Sequence, residues 1–82
     1  GKDAYLYYVL NRTVENASYQ CEVTEFAGNG RVEVYCNDRK IGEIQGTGTF
    51  TFEIGKLEEK ECDTIHFVAD NVTFCLWSSA IL

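Results

Sequence analysis

Tyr19-Gln20-Cys21-Glu22-Val23-Thr24-Glu25-Phe26-Ala27-Gly28-Asn29-Gly30-Arg31-Val32-Glu33-Val34-Tyr35-Cys36 alternates between apolar and polar residues and is interrupted once. A period of two is the signature of a strand with one face buried. Tyr19, Cys21 and Val23 share one face before the interruption, and Val32, Val34 and Cys36 share one face after it. The interruption, Ala27-Gly28-Asn29-Gly30, is turn chemistry, because Gly and Asn tolerate positive φ. A hairpin is the expectation, and a four-residue loop there places Cys21 directly opposite Cys36 on the core face.

The same alternation continues outward from this stretch. Ala4 to Leu10 reads as a first strand and Asn11 to Ser18 as a polar loop. Asn37-Asp38-Arg39-Lys40 is a second tight turn, followed by a short strand at Ile41 to Gln45 and a break at Gly46-Thr47-Gly48. Thr49 to Ile54 turns Phe50, Phe52 and Ile54 inward, and Lys56 to Glu61 is a charged loop with room for one helical turn. Thr64 to Ala69 and Val72 to Leu82 close the chain as two strands around Asp70-Asn71, read as a two-residue hairpin turn. About seven short strands with a turn every 8 to 12 residues predict an all-β, immunoglobulin-like sandwich, residues 1–82 forming a single domain.

So small a core usually needs staples. Cys21, Cys36, Cys62 and Cys75 are even in number and contain no C-x-x-C pair, which favours two disulfides over zinc or redox chemistry. Three connectivities are open; the strand pairing favours 21 to 36, whereas a turn at Asp70-Asn71 opposes Cys75 to His66, so 62 to 75, the pair that then remains, requires Cys62 to reach Cys75 from the loop. Asn11-Arg12-Thr13, Asn16-Ala17-Ser18 and Asn71-Val72-Thr73 match the N-glycosylation acceptor pattern, so three of the five asparagines carry it. Disulfides and sugar acceptors together imply an extracellular protein, secreted or at a cell surface, whose export signal has been removed.

A net charge of -6 opposes binding to nucleic acid or to anionic lipid, and no segment reads as membrane-inserting. His66 is the only histidine, so neither a nucleophilic triad nor a zinc site is expected. Glu58, Glu59, Glu61 and Asp63 match no calcium-loop spacing and read as a solvated acidic run. No enzymatic activity, cofactor or metal is expected.

The ends of the chain are unusual. Tyr5, Tyr7 and Val9 lie on one face of the first strand, and Leu6, Tyr8 and Leu10 on the other, so neither face is polar. Trp77, Ile81 and Leu82 give the last strand the same character. Tyr5, Tyr7, Tyr8, Val9, Leu10, Trp77, Ile81 and Leu82 are therefore the candidate self-association residues, with other copies of the chain as partners joined by terminal-strand complementation. The expected role is a glycan-coated structural subunit of an extracellular filament or surface assembly. A monomeric protein-binding or inhibitor module is the alternative, and a carbohydrate-binding domain that stacks sugars on Trp77 and the tyrosines is a third reading.

Val32-Glu33-Val34-Tyr35, Ile41-Gly42, Gly48-Thr49-Phe50-Thr51-Phe52 with Ile54, and Thr64-Ile65-His66-Phe67-Val68-Ala69-Asp70 are similar to the immunoglobulin-like modules of prokaryotic cell-surface and adhesion proteins. The resemblance covers about half the chain and implies an extracellular structural or adhesive role without site residues. Those modules usually lack disulfides, so the four cysteines depart from the pattern.

Overall fold

A computed structural model describes residues 2–82, with Glu61 described by its backbone alone. The chain is all-β, as the alternation predicts. Its strands are β1 (Lys2–Leu10), β2 (Val14–Cys36), β3 (Arg39–Ile44), β4 (Gly48–Leu57) and β5 (Lys60–Ile81). They form one antiparallel sheet of order β1-β5-β2-β3, with β4 also on β2.

The two long strands organise the molecule, pairing with each other from Tyr19 opposite Ile81 to Cys36 opposite Ile65. Along the other edge of β2 lie β4, against Val14 to Val23, and β3, against Val32 to Cys36. The free edge of β5 takes β1, with Lys2 opposite Ala69 and Leu10 opposite Lys60. The sheet thus folds across its middle into two layers. One holds β4, the first half of β2 and the second half of β5; the other holds β1, the first half of β5, the second half of β2, and β3.

Side chains from both layers meet in the core. Phe67 packs against Tyr19 and Phe74, with ring centroids 6.1 Å and 5.6 Å away. Tyr8 meets Tyr19 edge-on, and its hydroxyl bonds Ser79 Oγ at 2.6 Å. Tyr19, Val23, Val32, Val34, Ile44, Ile65 and Phe67 are buried almost completely.

The strand count is five where about seven were expected, and the cause is local. Ala27 to Gly30 does not turn the chain back, and neither does Asp70-Asn71; both lie within continuous strands and face each other at the fold of the sheet. Gly28 at φ 122° and Asn71 at φ 59° bend the two strands together. Between Gly28 and Arg31 the register slips, so β2 holds an excess of residues at the corner, as in a bulge. Inward-pointing residues also change parity along β2, from Tyr19, Cys21 and Val23 to Phe26 and then Val32, Val34 and Cys36, and the change falls at the earlier register slip between Val23 and Glu25.

The expected disulfides are corrected by the same geometry. Because the corner carries β2 onward into the other layer, Cys21 lies opposite Ser79 and Phe50, while Cys36 lies opposite Ile65 and Arg39. Cys62 and Cys75 are separated along β5 by its bend. All four thiols are free. The charged segment at Lys56 to Glu61 is also mostly strand rather than loop, only Glu58 and Glu59 being unpaired; the side chain of Glu61 lies outside the described residues. The turn at Asn37-Asp38 is as expected, with positive φ at both residues, the conformation of a two-residue hairpin.

Candidate functional site

Strand pairing uses both terminal segments within the chain: β1 lies on β5, and Leu82 exchanges backbone hydrogen bonds with Ser18. The inner face of β1 is covered, because Leu6, Tyr8 and Leu10 pack on the core, as does Ile81. The outer face is not. Tyr5, Tyr7 and Val9 are 49%, 66% and 76% exposed, and Trp77 on the opposite layer is 77% exposed, with Leu82 also in the open. Donating either segment to another copy would first require unpairing it here.

On the outer face of β1 the aromatic rings are ordered. Tyr5 lies opposite His66 and stacks on it at 4.2 Å, with ring planes 7° apart. Tyr7 is within 10° of parallel to Tyr5, and Tyr35 flanks His66 from the other side at 5.8 Å. Rings stacked face to face between neighbouring strands stand on edge, so their flat faces point along the sheet rather than out of it. The free face of Tyr5 is directed toward the open edge of β1. His66 Nε2 lies 3.1 Å from Asp3 Oδ1, which fixes its ring in the row.

The sheet has four edges without a partner strand among the described residues, and they differ in chemistry. Natural edges are commonly blunted by charge or proline. The edge of β3 carries Arg39, Lys40 and Glu43, and Lys40 bridges Glu33 at 2.8 Å and Glu43 at 2.6 Å. That cation holds the Glu33 and Glu43 carboxyls below their usual range, chiefly by hydrogen bonding. The edge of β4 carries Glu53 and Lys56. In contrast, Ala4 to Leu10 of β1 and Val72 to Leu82 of β5 hold no charged residue and no proline.

No family model, curated protein or solved structure matches this chain. Its chemistry therefore has to be read from its own side chains.

The asparagines of the three N-x-Ser/Thr patterns are exposed. Asn11 lies in the bend after β1 and Asn16 near the start of β2. Asn71 lies at the corner, where its Nδ2 donates to Asn29 Oδ1 at 2.5 Å.

The cysteines divide by environment. Cys21 and Cys36 are buried, and burial pushes the Cys21 thiol up to about 11 and raises Cys36 as well, helped there by the nearby Asp63 carboxylate. Cys62 and Cys75 are exposed. A thiol reagent at about pH 8 should therefore modify two cysteines rapidly and the other two only on unfolding. Mass spectrometry of the alkylated chain checks the count, and four equally fast thiols would contradict the burial.

One cluster was missed by sequence reasoning. Asp63, read as part of a solvated acidic run, is completely buried. Asn37 Nδ2 donates to its Oδ1 at 2.8 Å, and Lys60 Nζ lies 3.1 Å from the same oxygen. The Thr64 backbone N–H donates to Asn37 Oδ1 at 2.9 Å, while Asp63 Oδ2 has no hydrogen-bond partner. The signal was present: the alternation that turns Ile65, Phe67 and Ala69 inward also turns Asp63 inward. Among the described residues, no three His, Cys, Asp or Glu side chains gather as metal ligands.

Proposed function

We propose that the chain is a non-enzymatic, N-glycosylated extracellular structural subunit that assembles with copies of itself through its first and last segments. One observation carries the reading: Ala4 to Leu10 on one of these edges and Val72 to Leu82 on the other lack the charge found along the edges of β3 and β4, the charges of β1 being confined to Lys2 and Asp3 at its start. An uncharged edge is a template for one more strand. Because both segments are already paired in their own subunit, the joint is edge addition, with β1 of one copy lying along the second half of β5 in the next. The Tyr5 face turned toward that edge then receives Trp77 of the incoming strand, a cross-strand aromatic pair. Edge-on rings offer sugars no flat platform, so the aromatic row favours a strand partner over a carbohydrate. A contact between two different surfaces propagates rather than closing at a dimer unless the rotation closes a ring, which suits a filament or layer.

Glycans at Asn11, Asn16 and Asn71 fit an exterior setting, as does the resemblance to surface modules. Like charges oppose assembly, since each copy carries -6, so added salt should promote it. Light scattering at micromolar protein with rising salt should show particles far above 9.3 kDa. Tyr7→Lys and Trp77→Lys should each leave monomers, because each puts a charge on one edge, and a mixture of the two should stop at dimers that use the one good edge of each. A wild-type chain that stays monomeric at every salt concentration ends this proposal.

A further inference from the structure

A cleft of about 550 Å³ opens between the start of β3, the end of β4 and the start of β5. Arg39, Lys56 and Lys60 stand around it, one on each strand. Three of the chain's seven Lys and Arg residues thus meet at one place on a protein of net charge -6. We infer that this cleft binds a tetrahedral oxyanion, the phosphate or sulfate group of a monoester.

Each cation is placed by a different piece of the fold. Positive φ at Asn37 and Asp38 turns β2 tightly into β3 and sets Arg39 opposite Cys36. Arg39 Nη2 then donates to the Ile54 carbonyl of β4, which ties the two strands together and leaves the rest of the guanidinium fork for a ligand. At the end of β4, Ile54 and Leu57 turn into the core while Lys56 between them is exposed. Lys60 Nζ is held 3.1 Å from Asp63 Oδ1, yet its side chain is 45% exposed, so the ammonium has donors to spare. Asn37 Nδ2, bound to the same oxygen at 2.8 Å, adds a neutral amide to the lining. Asp63 is buried and does not line the cleft itself. Its part is to fix two of the four donors, a task that accounts for a carboxylate in the core.

The lining also selects the ligand. Cys36, Ile54 and Leu57 complete it and are almost completely buried, so the cleft has a closed, apolar floor. An anion therefore sits at the rim, with the alcohol that carries it directed into solvent. Donors on three strands suit the three terminal oxygens of a phosphate or sulfate ester better than the two of a carboxylate. Among the described residues, Glu58 is the one carboxylate in the lining. It lies 3.9 Å from Lys56 with both side chains exposed, a contact that water and salt weaken. The net acidity of the chain limits the size of the ligand. Charges beyond about 8 Å are largely screened at physiological salt, so a single ester group responds to the cleft, whereas a long polyanion runs on to the acidic remainder. This inference does not depend on self-assembly.

Heteronuclear NMR titration of the whole chain at constant ionic strength tests it, with methyl phosphate, methyl sulfate, inorganic phosphate and acetate as probes. Both esters should shift the amides of Asn37 to Lys40 and of Lys56 to Lys60, and the tighter of the two identifies the natural group. Acetate should bind about tenfold more weakly, the worth of one hydrogen bond to a charged group. Lys56→Gln removes a cation that holds no buried partner, and should weaken both esters about tenfold in a folded protein. Arg39→Lys keeps the charge but loses the fork, and should weaken them as well. Arg31→Gln makes the same charge change outside the cleft and should leave the affinity as it is. Silence from both esters overturns the site, and so does equal weakening by Lys56→Gln and Arg31→Gln. Acetate binding as tightly as the esters, or inorganic phosphate binding where neither ester does, overturns the choice of ligand.

Discussion

Gly30→Ala is expected to lower the stability of this domain by about 3 kcal/mol, the upper range for forcing an extra methyl into a packed site. A β-carbon on Gly30 would overlap the Asp70 carbonyl oxygen, and one on Gly28 the Asn71 carbonyl oxygen. In both cases the obstacle is backbone of the facing strand, so no side-chain rotation relieves it, and the corner must open for the variant to fit. Gly28→Ala adds the strain of a non-glycine residue at φ 122°, about 1 to 3 kcal/mol more. Asn29→Ala is the control. It removes one exposed hydrogen bond to Asn71 and should cost about 1 kcal/mol. Urea unfolding measures all three as shifts of midpoint at constant slope. The experiment also separates the two meanings of Ala27 to Gly30. In a surface hairpin loop an alanine at Gly30 would be tolerated, whereas at the fold of a sheet it would not. A wild-type midpoint for Gly30→Ala would show that the two long strands do not cross there.

That distinction marks where the sequence was legible and where it was not. Period-two alternation identified the strands and the inward residues on each side of the interruption, since burial of one face is a local property of the pattern. Tyr19, Cys21 and Val23, then Val32, Val34 and Cys36, are buried as the pattern requires. Whether glycine and asparagine turn a chain through a half-circle or bend it at a corner depends on what lies opposite. Here each turn-like stretch lies opposite the other, a tertiary fact. The disulfide expectation inherited that ambiguity, because Cys21 faces Cys36 only if the chain doubles back. The outer-face tyrosines were legible for the opposite reason: apolar residues on both faces of Ala4 to Leu10 mean that one of them lacks a cover within so small a domain. Asp63 was hidden by its neighbours, since four acids within six residues look like a solvated run even when the alternation assigns one of them to the core.

Tyr19 gives the second large effect, and it has two signs. The ring is completely buried at the centre of the molecule, between Tyr8 and Phe67. Tyr19→Ala should cost about 3 to 5 kcal/mol, the range for deleting a buried aromatic side chain. That is a large part of the roughly 5 to 15 kcal/mol available to a domain. The hydroxyl acts in the other direction. It makes no hydrogen bond in this structure, where the adjacent Tyr8 and Ser79 hydroxyls bond each other. A buried, unsatisfied hydroxyl costs about 1 to 3 kcal/mol, so Tyr19→Phe should stabilise the fold by about 1 kcal/mol. Burial also holds the Tyr19 phenol well above the ordinary tyrosine range. A group that stays protonated in the folded state while ionising in the unfolded one contributes stability at lower pH. That contribution falls as pH rises past about 10, the unfolded value. Alkaline unfolding should therefore be steeper for the wild type than for Tyr19→Phe, with the two curves diverging only above that pH. Thermal unfolding at two pH values measures both effects, and a destabilised Tyr19→Phe would mean that the hydroxyl has a partner in solution.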